Sequence, residues 1–285
     1  MRSSRRIVPL LLLGYLLALV SPACRSAPAP GPVPLQRAHA HNDYEHRHPL
    51  YDALDHGFTS VETDVHLVDG ELLVAHDTED VQEDLTLQSL YLDPLRERVR
   101  QNEGSVYPNG AQVTLLVDVK TGAESTYAAL HQVLAEYEDI LTTFGPDGQK
   151  DGAVVVIISG NRARDDMASD PIRYAAYDGR LEDLGSNTPA TFIPLISDKW
   201  TSNFMWTGTG DMPESERQKL QEIVETAHAQ GQRVRFWNTP DKRTQAREAV
   251  WRELVSAGVD LINTDDLEGL QQFLLENDPL LEGAR

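Results

Sequence analysis

The chain has 285 residues, with 25 lysines and arginines against 45 aspartates and glutamates, and a net charge of −20. So acidic a body repels nucleic acid and excludes a polyanion-binding role. An anionic small molecule would need a locally positive site on it, and a bound metal ion supplies one.

Arg2, Arg5 and Arg6 precede an apolar run of 14 residues, Ile7 to Val20, and Ala23 is a small residue at a cleavage position; residues 1–23 are expected to be a secretory signal. Fourteen helical residues span only about 21 Å, short of a hydrocarbon core of about 30 Å, which makes a membrane span the weaker reading. The only cysteine, Cys24, follows Ser21-Pro22-Ala23 in a pattern similar to a bacterial lipoprotein processing site, with Ser21 where leucine is usual. It is either a lipidated first residue or a free thiol, and no internal disulfide is possible. Residues 24–34, with four prolines between Arg25 and Pro34, read as a tether. The expected product is exported: periplasmic, secreted, or attached to the cell envelope through Cys24. No protein partner is implied.

Residues 35–285 have the size of a single (β/α)₈ barrel. Eight β-rich runs follow the tether: Leu35–Ala40, Ser60–His66, Val113–Lys120, Ala153–Ser159, Arg173–Tyr177, Phe192–Ser197, Arg233–Asn238 and Asp260–Asn263. Glu71–Ala75, after Asp69-Gly70, reads as a hairpin extension of the second run. Helical spacing marks Glu124–Leu141, Glu214–Gln230 and Arg243–Ala257, the last two stopping at Gly231 and Gly258. Strands alternating with helices predict a parallel sheet, and eight such units predict closure. Residues 77–89 and 161–191 read as irregular loops over one face.

In this architecture chemistry sits at the carboxyl ends of the strands. The second run places Glu62 and Asp64 on one side by its period of two, and the third does the same for Asp118 and Lys120. The first ends in His39-Ala40-His41, the hairpin in His76-Asp77, the seventh run in Trp237-Asn238 and the eighth in Asn263-Thr264-Asp265. Three carboxylates at neighbouring strand ends repel one another unless a cation holds them, and an oxygen-only donor set suits Mg²⁺ or Ca²⁺. The competing reading is that each carboxylate pairs with an arginine or caps a helix. Two histidines flanking the acidic pair, His41 and His76, can give and take a proton near neutral pH. His39 can replace His41 in that role on spacing alone. His46, His48, His56, His131 and His228 read as surface or packing residues.

The segments Ala38-His39-Ala40-His41-Asn42-Asp43-Tyr44, Gly57–Val65 and Leu73-Val74-Ala75-His76-Asp77 resemble the phospholipase-C-like phosphodiesterase superfamily. It comprises glycerophosphodiester phosphodiesterases, phosphatidylinositol-specific phospholipases C and sphingomyelinases D, and the His-Asn-Asp-Tyr form is closest to the branch named for altered inheritance of mitochondria. The resemblance covers residues 38–77 and 113–120, loosely 234–265, and leaves 121–233 unmatched. It implies Glu62, Asp64 and Asp118 as metal ligands, His41 and His76 as the catalytic pair, and Lys120 as a phosphate contact. Trp237 would be an aromatic near the substrate, and His39 and Asn42 join the substrate-binding set. Glycerophosphodiesterases carry His-Arg-Gly where this chain has His41-Asn42-Asp43, and their Pro-Glu-Asn-Thr tetrad is missing here.

The expectation is a metal-dependent phosphoric diester hydrolase acting on a small-molecule or lipid-derived phosphodiester, with two histidines as acid and base. The product, monoester or cyclic phosphate, stays open. The alternatives are a glycoside hydrolase using paired carboxylates on the same fold and a non-catalytic ligand-binding lipoprotein.

Overall fold

The structure, a computed structural model, describes residues 31–281. The expected leader, Cys24 and most of the tether lie outside the described residues. Eight parallel strands build the sheet: β1 (Leu35–Ala40), β2 (Phe58–Val68), β3 (Val113–Val119), β4 (Val154–Gly160), β5 (Ala176–Gly179), β6 (Leu195–Lys199), β7 (Arg233–Trp237) and β8 (Leu261–Thr264). Each pairs with the next in sequence, and β8 returns to β1 with Ala38 opposite Ile262 and Ala40 opposite Thr264. The sheet is therefore a closed barrel with no free edge. The Glu71–Val74 strand folds back antiparallel on the end of β2, with Val65 opposite Val74. Asp69 and Gly70 turn it with φ of 50° and 90°, the positive pair a two-residue hairpin needs.

The helices among the described residues are α1 (Tyr51–Asp55), α2 (Asp93–Gln101), α3 (Ala123–Ala135), α4 (Arg164–Ser169), α5 (Trp200–Asn203), α6 (Glu214–Ala229), α7 (Gln245–Ala257) and α8 (Leu267–Asn277). Local chemistry sets their ends. In α7 the Thr244 hydroxyl accepts the Arg247 N–H, and Gly258 closes the helix at φ 84°. The main core lies between strands and helices, with Trp200, Trp251, Phe58 and Phe236 fully buried in it.

A second apolar cluster fills the barrel itself: Leu116, Val155, Ile157, Ala176, Leu195 and Leu261, joined by Phe144. Two residues further along those strands, the same inward position turns polar, as Asp118, Ser159, Asp178, Ser197 and Asn263. The period of two thus separates an apolar floor from a polar layer at the carboxyl face.

Two expectations shift. The helix read over Glu124–Leu141 stops at Ala135, because Ile140 and Thr142 exchange backbone hydrogen bonds with Val154 at the entry to β4. The Gly145-Pro146-Asp147-Gly148 segment then makes a small hairpin, Thr143–Gly145 with Gly148–Lys150. The fifth strand begins at Ala176 rather than Arg173, since Arg173 pairs with Phe144 of that hairpin and not with β4.

The loop after β1 hangs on Asp43, which is fully buried. Its Oδ2 accepts the Leu50 N–H at 2.5 Å and the Tyr91 hydroxyl at 3.0 Å, holding Leu50 at φ 65°. Burial pushes its carboxyl up to about 6 against those two hydrogen bonds, from an ordinary value of 3.8. The folded state therefore holds this proton more tightly than the unfolded chain. Its contribution is largest below 3.8 and is lost as pH rises to about 6, a change of about 3 kcal/mol. Asp43→Asn keeps the acceptor and removes the titration. Urea unfolding of both proteins between pH 4 and pH 7 should show wild type losing ground to the variant across that window, and a constant difference would contradict the assignment.

Candidate active site

The three acidic residues converge: Glu62 and Asp64 on β2 and Asp118 on β3 each offer an oxygen within 4.8 Å of the others. The register puts Asp64 directly opposite Asp118. Gly160 at the end of β4 permits this, for a Cβ there would lie 2.5 Å from Asp118 Oδ1. Protein cations answer part of the charge. Lys120 Nζ lies 2.9 Å from Asp64 Oδ2 and 2.9 Å from Asp118 Oδ1, and Arg235 on β7 makes a short ion pair with Glu62 Oε2. The pairing anticipated as the competing reading is thus partly present.

It does not account for the whole cluster. Asp64 Oδ2 is saturated by the Tyr44 hydroxyl at 2.8 Å, Lys120, and His76 Nδ1 at 3.1 Å. Asp64 Oδ1 is buried with no donor at all. A buried carboxylate oxygen left unpaired carries its desolvation cost uncompensated. The free positions on Glu62, Asp64 and Asp118 are all carboxylate oxygens, the donor chemistry that Mg²⁺ or Ca²⁺ prefers. Burial favours the neutral form of Glu62, but the Arg235 charge and the His39 hydrogen bond outweigh it and hold the carboxyl well below its usual range. Burial raises Asp118, and the Lys120 charge only partly offsets it. For Lys120, burial works against the charge, and Asp118 and Asp64 overcome it and raise its value.

The histidines separate by depth. His39 and His41 share a side of β1, as their spacing required, but β1 ends at Ala40. His39 lies one layer down, fully buried, with Nδ1 2.7 Å from Ser60 Oγ and Nε2 3.1 Å from Glu62 Oε2. Burial and the Arg235 charge lower it to about 3. The expectation that His39 stands among the substrate contacts is corrected: it supports Glu62 from below. His41 stands on the rim, its N–H bonded to Thr264 O and its Nδ1 2.7 Å from Asp265 Oδ1, leaving Nε2 available. His76 offers Nδ1 to Asp64 and also leaves Nε2 available. Burial opposes the charge on His41, but the Asp265 hydrogen bond and the Glu62 and Asp265 charges prevail and raise its value. Removing that charge in Asp265→Asn lets His41 lose its proton at lower pH. The NMR titration of the His41 ring should move to lower pH in that variant, and an unmoved titration would exclude the dyad.

A cleft of ≈ 250 Å³ gathers His41, Asn42, the three carboxylates, His76, Lys120 and Trp237, together with Ser159, Arg180 and Arg235. Asn42 takes a left-handed turn at φ 45° where the chain leaves β1. Trp237 ends β7 with the Lys199 ammonium 5.4 Å from its ring centre. Arg180 was not foreseen. The fully buried Asp178 carboxylate fixes it at 2.6 Å and also accepts Ser159 and Ser197 hydroxyls at 2.7 and 2.6 Å. Arg235 was also missed, although it left a trace in the sequence as a charge on the inward side of a strand. Tyr44 and Asp265 stood in segments the sequence singled out, but neither was given a role. Four of the other histidines have local roles: His48 and His56 bond to Asp52, His131 to Asp170, and His228 to Asp260.

A family model described as an AIM6-like phosphodiesterase domain matches residues 31–178, just over half of the chain. The chain belongs to that family. A relative from Eremothecium gossypii, "Altered inheritance of mitochondria protein 6", is 30% identical over 81% of this chain and 68% of its own length. A homologue from Arthroderma benhamiae is 28% identical over 81% of this chain and 82% of its own. Residues 233–268 match a glycerophosphoryl diester phosphodiesterase family. Among solved structures, a glycerophosphoryl diester phosphodiesterase from Parabacteroides distasonis superposes with a TM-score of 0.53 at 13% identity over 90% of both chains. One from Agrobacterium tumefaciens gives 0.50 at 16%, over 84% of this chain and 99% of its own. At such identities these two show the barrel fold. The family carries the phosphodiesterase domain.

Proposed function

We propose that the chain hydrolyses phosphoric diesters with one divalent cation, Mg²⁺ or Ca²⁺, held by Glu62, Asp64 and Asp118. The observation that carries this reading is the buried, donorless Asp64 Oδ1 between two further carboxylates. Bound there, the cation would supply charge neutralisation to the phosphoryl oxygens. Lys120 and Arg180 add positive charge on the same cleft, which suits an anionic substrate better than a neutral glycoside.

His41 and His76 share the proton work. Each has one ring nitrogen oriented by a carboxylate, Asp265 or Asp64, and the other free to reach an ester or nucleophile oxygen. Orientation of this kind fixes the tautomer and the angle of transfer. Asp178 and the Ser159 and Ser197 hydroxyls hold the Arg180 guanidinium in place beside the cleft it lines.

The nucleophile is water or a hydroxyl of the substrate itself, and proximity favours the second where a neighbouring hydroxyl exists. Phosphorus NMR of lysophosphatidylcholine incubated with the protein and Mg²⁺ or Ca²⁺ tests the reading. A cyclic phosphate is expected, at least as an early product. Monoester carrying one solvent ¹⁸O from the first turnover would assign the attack to water. An unchanged diester signal with both metals would count against the function.

A further inference from the structure

The amino end of the barrel, opposite the catalytic face, opens into a cavity of ≈ 440 Å³. Early residues of the strands line it: Arg37 of β1, Thr59 of β2, Thr114 of β3, Arg233 of β7 and, just ahead of β8, Asp260. Arg37, Thr114 and Arg233 each stand two residues before an inward side chain, namely His39, Leu116 and Arg235. The inward rows of three strands therefore begin polar.

Arg233 lies across this opening. In an eight-stranded barrel β3 and β7 stand on opposite walls, and Arg233 donates one guanidinium N–H to the Thr114 hydroxyl at 3.2 Å. Among the described residues that is its one side-chain hydrogen bond, and no carboxylate is within ion-pairing distance of it. The carboxylates beside the cavity are engaged elsewhere. Asp260 Oδ2 lies 2.8 Å from the Val234 N–H nitrogen and 2.8 Å from His228 Nε2. Asp278 Oδ1 accepts Arg37 Nε at 3.3 Å and the Leu280 N–H at 3.0 Å.

Most of the Arg233 donors thus have no protein acceptor, and the Thr114 hydroxyl, which accepts from Arg233, keeps its own proton to give. Burial pulls Arg233 below its ordinary pKa and the Asp260 charge offsets only part of that, yet a guanidinium stays protonated. A half-buried charge without a counter-charge is costly, and a chain with 45 acidic residues does not lack candidates to pair it.

We infer that this cavity binds a small oxyanion, a phosphate or carboxylate group held by the Arg233 guanidinium and the Thr114 hydroxyl. The planar fork of a guanidinium matches two oxygens of such a group. Arg37 adds positive charge at the cavity wall. The occupant is small, because the acidic body around the cavity repels a polyanion. The site is separate from the proposed chemistry: Trp237, at the catalytic end of β7, is about 13 Å along the strand from Arg233.

Two measurements on the full chain test it. The first is calorimetry with sodium phosphate and, separately, sodium acetate, with chloride holding the ionic strength constant. Saturable binding of at least one is expected, and binding of neither overturns the site. Arg233→Gln should weaken that binding at least about tenfold, the loss that goes with a charged hydrogen bond. Arg233→Lys keeps the charge without the fork and should fall between the two. Thermal unfolding reports that each variant is folded. Equal affinity in wild type and Arg233→Gln would put the anion elsewhere and overturn the site. The second measurement needs no variant: a crystal soaked in the anion that binds, with selenate in place of phosphate for its anomalous signal. Density bonded to Arg233 is expected. Density only in the catalytic cleft, or none, overturns the inference even where the variants fail to fold.

Discussion

Asp64→Asn should abolish divalent binding and lower phosphodiester turnover by about 10³-fold or more, because cation stabilisation of phosphoryl charge is worth several kcal/mol. Asparagine has the size of aspartate, so the strand register that places residue 64 opposite Asp118 is preserved. What changes is charge and donor pattern. The new amide would put N–H groups either into the space that Asp64 Oδ1 now faces or against Lys120, His76 and Tyr44, all of which donate to Oδ2. Neither arrangement leaves a full set of carboxylate oxygens for a hard cation. Calorimetry with Mg²⁺ and Ca²⁺, beside a circular-dichroism spectrum showing an intact fold, separates loss of the site from loss of structure. Unchanged affinity for both ions would remove Asp64 from the site.

His41→Ala and His76→Ala should each lower the rate by roughly 10²–10⁴, the usual loss when a positioned acid or base is removed. His39→Ala is expected to behave differently. Its imidazole is buried between Ser60 and Glu62, so its loss removes a partner from each and loosens Glu62, a ligand in the proposed metal site. The fall should be in thermal stability and in cation affinity, with recovery of rate at high metal concentration. His41→Ala should show no such recovery, because a missing proton carrier is not restored by more cation. A loss well under tenfold at His41 would take it out of the proton path.

The carboxylate frame was readable because it is local. Glu62 and Asp64, and Asp118 and Lys120, are each two apart on strands whose apolar neighbours fix their direction, and neighbouring strands of a barrel bring the pairs together. The Asp69-Gly70 turn and the glycine at α7's end were local signals too. Depth was not readable: His39 and His41 obey the same period, and only where β1 stops decides which is buried. Partners across the barrel were invisible as well. Arg235 meets Glu62 from 173 residues away, and Asp265 meets His41 from 224. The weakest segment, residues 161–191, blurs the bounds of β5 and hides Arg180, because β5 has only four residues and pairs at two positions on each side.

The most direct test of a cation-dependent phosphodiesterase is hydrolysis of bis-p-nitrophenyl phosphate by protein stripped with EDTA and then titrated with Mg²⁺ or Ca²⁺. The site described here predicts that chelation extinguishes turnover and that one of the two ions restores it. Full activity after chelation, or none with either ion restored, would contradict it.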